Sequence, residues 1–168
     1  DVYLEVLNYV GKSQDLKGVP IIRPFYPGGN YEAMDYPDNC IVIDNPPFSI
    51  ITPIVRFYLS KGIRFFLFAP HLTLFSADLK CTCIVGSCDI IYANGANVKT
   101  SFLSNMYGNL KVLAAPELYQ AIKALNNAKK AMESIQDKFD RGLEMQVYLT
   151  GKSNFRDAIA VTQPYKGN

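Results

Sequence analysis

The stretch CIVIDNPPFSIITPIV, residues 40–55, decides the predicted fold. Its first five residues, CIVID, are apolar up to Asp44 and rich in β-branched side chains, which is typical of a strand buried within a parallel sheet. Beyond the two prolines, apolar residues recur at helical spacing, so we expect a helix from near Thr52 to Gly62. The run IRFFLFAP, residues 63–70, predicts the next buried strand. Strand, helix and strand together imply a parallel pair joined by a right-handed crossover.

Most elements outside this unit are shorter. Residues 2–9 predict an amphipathic helix stopped by Gly11, and two prolines bracket a short strand at residues 19–23. Downstream, CTCIVG, CDIIYANG and VKTSFLSNM predict three short strands, with a turn at Asn94-Gly95 between the second and the third. We expect these strands to form an antiparallel edge. The predicted fold class is therefore α/β, with a mostly parallel sheet and antiparallel edge strands.

The last regular pattern predicts one long helix, which begins at Pro116 and ends at Gly142. Its charges nearly balance, which favours a solvated outer face over a phosphate-binding stripe. A heptad repeat predicts that residues 116–141 pack on the chain's own core or against a second copy in a homodimer. We expect one domain at 1–113, and a helix with a C-terminal extension at 114–168. The heptad positions are Leu118, Ala121, Leu125, Ala128, Met132, Ile135 and Phe139.

Composition narrows the classes of function. With 168 residues and 49% apolar content, the chain is long enough for one well-buried domain. A net charge of +2 does not by itself indicate a nucleic-acid binder. No apolar run approaches the roughly 18–20 residues of a membrane span, and the first residues lack the basic start of a signal peptide. We therefore expect a soluble, cytoplasmic protein without a membrane partner, although a start at Asp1 rather than Met leaves room for a preceding segment.

Three further patterns in the sequence bear on possible chemistry. The four cysteines lack C-x-x-C spacing and the chain has one histidine, so we expect free thiols and no metal site. The two GKS triplets have Val6 and Gln146 where a phosphate-binding P-loop needs glycine. His71 has no triad partners in sequence order. It follows a strand end, however, so it is a candidate for lining a substrate pocket at the carboxyl edge of the sheet.

The run Asn45-Pro46-Pro47-Phe48 carries the functional prediction. An exocyclic amino group on a planar base is a poor nucleophile, and methylation is favoured when acceptors hold both of its hydrogens. The Asn45 side-chain oxygen and the Pro46 carbonyl are such acceptors, held on a turn that the prolines stiffen. The Phe48 ring offers a face on which an extruded base can stack. The blander interpretation is a rigid strand exit with a buried ring, but the flanking strand and helix favour the functional one.

On these residues, IVIDNPPFSIITPIVRFYLSKGIRFFLFAP resembles the S-adenosylmethionine-dependent amino-methyltransferases with a [D/N/S]-P-P-[Y/F] motif. It is similar in particular to the EcoRI-like DNA adenine-N6 modification methylases and their phage relatives, over about residues 19–106. The resemblance implies a Rossmann-like methyltransferase fold, a DNA partner and direct methyl transfer to the adenine amino nitrogen, as in restriction-modification. By resemblance, Asn45, Pro46 and Phe48 would be the catalytic and base-holding positions. We also expect Pro47, Ser49 and His71 to contact the substrate.

The implied cofactor region is short. The run PFYPGG, residues 24–29, resembles a degraded glycine loop for S-adenosyl-L-methionine. Too few residues separate Gly29 from Asp44 for a full strand-helix-strand repeat, so we expect the first half of the fold to be shortened. Glu32, Asp35 and Asp38 are alternative carboxylates from the intervening loop. The implied cofactor-binding residues are Pro24, Phe25, Tyr26, Gly28, Gly29 and Asp44.

Two other functions stay open. Motifs of this type also serve methyltransferases that act on RNA bases or on a protein glutamine amide, because the motif recognises an amino group on a planar, conjugated carbon. A shortened cofactor region also permits a catalytically inactive module that keeps the fold for DNA binding or assembly. The chain shows no zinc finger or helix-turn-helix signature from which to read a target sequence.

Overall fold

The computed structural model describes residues 1–150, which form a six-stranded sheet with helices on its faces. Along the sheet the strand order is β1-β2-β3-β5-β4-β6. The first three strands run parallel, β5 is antiparallel to both of its neighbours, and β6 is parallel to β4. This mostly parallel α/β sheet is compatible with a Rossmann-like fold. The helices are α1 Val2–Ser13, α2 Ile51–Lys61 and α3 Pro116–Thr150, and the strands are β1 Ile21–Ile22, β2 Ile41–Asp44, β3 Arg64–Pro70, β4 Thr82–Ile91, β5 Asn97–Ser104 and β6 Val112–Ala114.

The central unit forms as its sequence predicts. Strand β2 pairs in parallel with β3, and Ile41 lies opposite Arg64. A single 3₁₀ turn at Phe48–Ile50 leads into α2. The helix stops because Gly62 adopts a left-handed φ of 64° and its N–H bonds back to the last turn of the helix.

The predicted antiparallel edge is wrong in its position. The antiparallel strand β5 lies inside the sheet, between β3 and β4, and the edge strands β1 and β6 are both parallel to their neighbours. The tight turn after β4 forces β5 to run against it. Strand β5 is also antiparallel to β3, so β4 points in the same direction as β3. Strand β6 then pairs with β4 in parallel.

Several predicted boundaries also differ from the structure. Helix α1 continues through Gly11 to Ser13, and β1 keeps only two residues of the predicted 19–23, where the prolines supply no N–H. CTCIVG and CDIIYANG form the single strand β4, interrupted by a bulge between Ile84 and Cys88. Helix α3 begins at Pro116 as predicted but continues past Gly142.

Both faces of the sheet are covered by helices. On one face, α1 and the start of α3 bury Val6, Val10, Leu118 and Ile122 against the strands. On the other face, α2 packs through a cluster that includes Tyr58. Because Leu118 and Ile122 belong to the core, the first compact unit, Asp1–Leu125, extends beyond the predicted boundary at residue 113.

The second unit begins at Asn126. Within its described part, Met132 and Ile135 of the heptad seam are largely exposed. The predicted homodimer through this helix stays a prediction, and the extension after residue 150 lies outside the described residues. None of the helices in the described chain combines the length and hydropathy that a bilayer crossing requires.

Candidate functional site

The segment that leaves β2 is a stiff turn at the carboxyl edge of the parallel strands. Residues 45–47 follow the last strand residue, Asp44, and the Pro47 carbonyl accepts a hydrogen bond of 3.2 Å from the N–H of Ile50. Pro46 is buried, whereas Pro47 and Ser49 are exposed. Open α/β sheets place their ligands at this edge. The fold therefore presents Asn45 at a position suited to binding.

The Asn45 side chain contains an unpaired acceptor. Its Oδ1 is buried and is the one such atom without a hydrogen-bond partner among the described residues. Leaving a buried polar atom unpaired costs about 1–3 kcal/mol, so such atoms are rare in folded proteins. A hydrogen-bond donor on a ligand would complete this site.

Asn45 is one of the residues that line a cavity of about 260 Å³. One wall comes from the strand exit and the other from the β4–β5 hairpin, which the sequence did not connect with Asn45. The Phe48 and Tyr92 rings, which both line it, contact each other edge to face, with centroids 5.9 Å apart and planes at 83°. The lining residues are Asn45, Pro46, Phe48, Tyr92, Asn94, Ala96 and Val98.

The hydroxyl group of Tyr92 is held by a neighbouring hydroxyl. It lies 3.0 Å from the Thr100 hydroxyl. Burial raises the pKa of Tyr92 above its usual value, so the phenol stays neutral. The sequence did predict the Asn94-Gly95 turn. The available signal for this wall of the cavity was Tyr92, an aromatic residue just before that turn.

Asp44 holds the predicted cofactor loop against the end of β2. Its Oδ2 accepts 2.9 Å from the backbone N–H of Phe25, and its Oδ1 accepts from Arg23 at 3.3 Å and from the backbone N–H of Asn45 at 2.9 Å. The carboxylate side chain is only 5% exposed, whereas that of Arg23 is 55% exposed. The guanidinium of Arg23 also lies 3.8 Å from the centre of the Tyr3 ring. Asp44 is thus engaged inside the protein.

The glycines of the loop have a local explanation. The N–H of Gly29 bonds to the Tyr26 carbonyl at 2.9 Å, and Gly28 between them has a φ of 81°. With Pro27 at the second position, these are the features of a type II turn. A Cβ at Gly29 would lie 2.5 Å from the Pro24 carbonyl oxygen, so only glycine fits. None of residues 24–30 lines the cavity at Asn45.

The loop from residue 23 to residue 40 contains no helix or strand. Aromatic rings pack it onto α2 instead, and the Tyr36 hydroxyl bonds to the Tyr31 carbonyl at 2.7 Å and contacts the Tyr58 hydroxyl at 2.9 Å. The alternative carboxylates Glu32 and Asp38 line a separate cavity of about 600 Å³, which also contacts the beginnings of β2 and β3. That cavity lies at the amino edge of these strands, opposite to Asn45.

The remaining candidate residues from the sequence lie outside the lining of the cavity. Pro47, Ser49 and His71 do not line it, and His71 pairs with Ser101 on β5 instead. The thiols of Cys81 and Cys88 are buried, which raises the pKa of each to about 12 and keeps it protonated. Among residues 1–142, whose side chains are described, no group of three or more His, Cys, Asp or Glu side chains is placed to hold a metal ion.

Comparison with known proteins finds no matching family model, no matching curated protein and no matching solved structure. The function therefore rests on the geometry of the cavity and on the motif that lines it.

Proposed function

We propose that this chain holds the exocyclic amino group of adenine in DNA for methyl transfer from S-adenosylmethionine. The observation that carries the proposal is the buried, unpaired Oδ1 of Asn45, a residue that lines an aromatic-walled cavity. A ligand that supplies an N–H to this oxygen gains a hydrogen bond and removes a buried unsatisfied atom. An amino group on a planar ring satisfies both this oxygen and the aromatic walls.

In this proposal the chain's own residues orient the amino nitrogen. Asn45 Oδ1 and the Pro46 carbonyl accept its two hydrogens, so that its lone pair becomes available as the new bond forms. The Phe48 face stacks against the base, and Tyr92 closes the side of the cavity. Sandwiching the base would need about 7 Å between ring planes, two contacts of about 3.5 Å, and the edge-to-face rings at 5.9 Å do not provide that. Stacking on Phe48 alone is therefore expected unless Tyr92 moves.

The aromatic lining of the cavity favours a base over a glutamine amide. An amide offers no ring to stack on Phe48. The volume of about 260 Å³ is smaller than the roughly 300–1,000 Å³ of typical drug-sized ligand sites, so it suits one planar ring. The choice of DNA over RNA rests on the sequence resemblance alone.

The residues predicted to bind the cofactor fit it incompletely. Asp44 uses both oxygens within the protein, and Gly28 and Gly29 form a self-contained turn. The loop nevertheless lies beside Asn45, because Phe25 bonds to the residue that precedes it. S-adenosylmethionine would supply an electrophilic methyl group, and the residues present account only for holding its acceptor.

The test is methyl transfer to unmethylated duplex DNA with a labelled cofactor. The variant Asn45→Ala should lose about 10²–10³ in rate, which is typical for one preorganised polar contact. Unchanged label incorporation in this variant would remove Asn45 from the proposed role. Digestion of the product then shows whether the methyl group is on adenine.

The incomplete cofactor fit favours one other function, a catalytically inactive module that binds DNA or a partner. Calorimetry with S-adenosylmethionine and S-adenosylhomocysteine distinguishes the two functions. Binding of either compound supports the enzyme. Absence of binding at millimolar concentrations, together with retained affinity for duplex DNA, supports the module.

A further inference from the structure

The bulge in β4 surrounds a buried hydroxyl on the neighbouring strand. Opposite Ser101, residues 85–87 depart from the regular register, and Ser87 has a left-handed φ of 49°. This conformation aims two successive amides at one point, an arrangement that otherwise binds anions. The N–H groups of Gly86 and Ser87 donate to Ser101 Oγ at 3.2 and 3.0 Å.

The same hydroxyl contacts the histidine. Ser101 Oγ lies 2.9 Å from Nδ1 of His71, and Ser101 itself is fully buried. A serine hydroxyl has one hydrogen and two lone pairs. Both lone pairs are used by the two amides, so the hydrogen must be donated to Nδ1. Nδ1 must then be unprotonated, and the proton of the neutral ring lies on Nε2.

We propose that Ser101 is a positioning residue that fixes His71 as the neutral Nε2–H tautomer. In this state the ring is a donor through Nε2 and is not a base through Nδ1. His71 directly follows β3, whose carboxyl end lies at the same edge as Asn45. A ligand at this edge therefore contacts His71 through a hydrogen-bond acceptor, such as a carbonyl oxygen, a ring nitrogen or a phosphate oxygen. The proposal does not depend on the methyl-transfer reaction.

A serine–histidine pair also suggests a nucleophile and its base, but this geometry opposes that function. An activated serine needs free lone pairs facing a substrate. Here both lone pairs of Ser101 are occupied by backbone amides, and its side chain is inaccessible.

The bulge itself depends on Gly86. A Cβ at this position would lie 3.0 Å from Cys88 Sγ and 3.2 Å from Phe102 Cε2. Glycine thus lets the amide of residue 86 approach Ser101 while Phe102 stays packed in the core.

The test uses the fact that the chain has a single histidine. Two-bond ¹H–¹⁵N correlation spectra recorded over a pH series assign the proton of the neutral ring to one ring nitrogen. The unmodified protein should show one tautomer, with Nδ1 in the range of an unprotonated nitrogen and Nε2 in the range of an N–H. A mixture, or a proton on Nδ1, would overturn the proposal without any variant.

Variants test the role of the hydroxyl. Ser101→Ala should make the Nδ1–H form measurable, and Ser101→Thr, which keeps the hydroxyl, should restore the single tautomer. Ser104→Ala is the matched control, because Ser104 is equally buried on β5 but donates to the Phe65 carbonyl at 2.7 Å. It should leave the tautomer unchanged. A folded Ser101→Ala protein with one unchanged tautomer contradicts the proposal.

Discussion

Two asparagines of this molecule differ in whether their side-chain amides are hydrogen-bonded. Asn105 uses both ends of its amide, accepting from the N–H of Phe65 and donating to the carbonyl of Ile63, each at 2.9 Å. Asn45 leaves its buried oxygen unpaired. Side chains that support the fold satisfy their polar atoms, whereas an unsatisfied buried atom costs stability and is a candidate for ligand binding.

Replacement of these two residues should therefore have different effects on stability. Asn45→Ala should leave the free energy of unfolding unchanged or raise it by up to about 1 kcal/mol, because it removes a buried unpaired acceptor. Asn105→Ala should lower it by about 1–3 kcal/mol, because Phe65 N–H and Ile63 C=O lose their partner. Urea unfolding of both variants measures the difference.

If Asn45→Ala is destabilised as much as Asn105→Ala, then its amide is part of the structural network and the binding interpretation fails. The labelled-cofactor assay on the same preparation separates loss of activity from loss of folded protein.

At the scale of elements, the glycines in and after helices are informative. Gly11 and Gly62 were both predicted to end a helix. Gly62 does so, with a φ of 64°, whereas α1 continues through Gly11 and ends at Ser13. A glycine in the sequence is compatible with either outcome, and the backbone conformation it adopts decides between them.

The two positions should respond to alanine with opposite signs. Gly62→Ala should lower the free energy of unfolding by about 1 kcal/mol, because a side chain opposes the left-handed conformation. Gly11→Ala should raise it by up to about 1 kcal/mol, because alanine favours the helix and its Cβ would meet only Leu16 Cδ1, at 3.7 Å. Thermal and urea unfolding of the two variants provide the comparison, and equal signs would contradict the assignment of the helix ends.

At the scale of the whole molecule, the buried core ends early in α3. Within residues 1–142, for which burial is described, the last buried apolar residue is Ile122, and the first compact unit ends at Leu125. Beyond it, Met132 and Ile135 expose apolar surface. The sheet and the cavity at Asn45 thus belong to residues 1–125.

A chain truncated after Leu125 should fold. We expect cooperative urea unfolding and a free energy of unfolding within about 1 kcal/mol of the longer chain, because none of residues 126–142, the part of the removed segment whose side chains are described, belongs to the buried core. Loss of cooperative unfolding would show that the sheet depends on the rest of α3.

Sedimentation of the two chains also tests the predicted homodimer. If the heptad seam associates, the full chain should sediment as a dimer and the truncated chain as a monomer. A monomeric full chain would contradict the dimer prediction.

The sequence by itself determined the β2–α2–β3 unit and the turn at Asn45. These features depend on neighbours within a few positions: an apolar strand, prolines that fix the backbone, a helical repeat and a terminal glycine. Local patterns of this kind are visible in a single chain because the interactions that form them are local.

Only the tertiary structure decided what surrounds that turn. It brought Tyr92 against Phe48, engaged Asp44 with the N–H of Phe25, and paired His71 with Ser101, over separations of 19 residues for Asp44 and 30 for His71. It also placed β5 inside the sheet rather than at its edge. The physical reason is that strand order and bulge position fix these contacts, and no local periodicity encodes which distant strand becomes a neighbour.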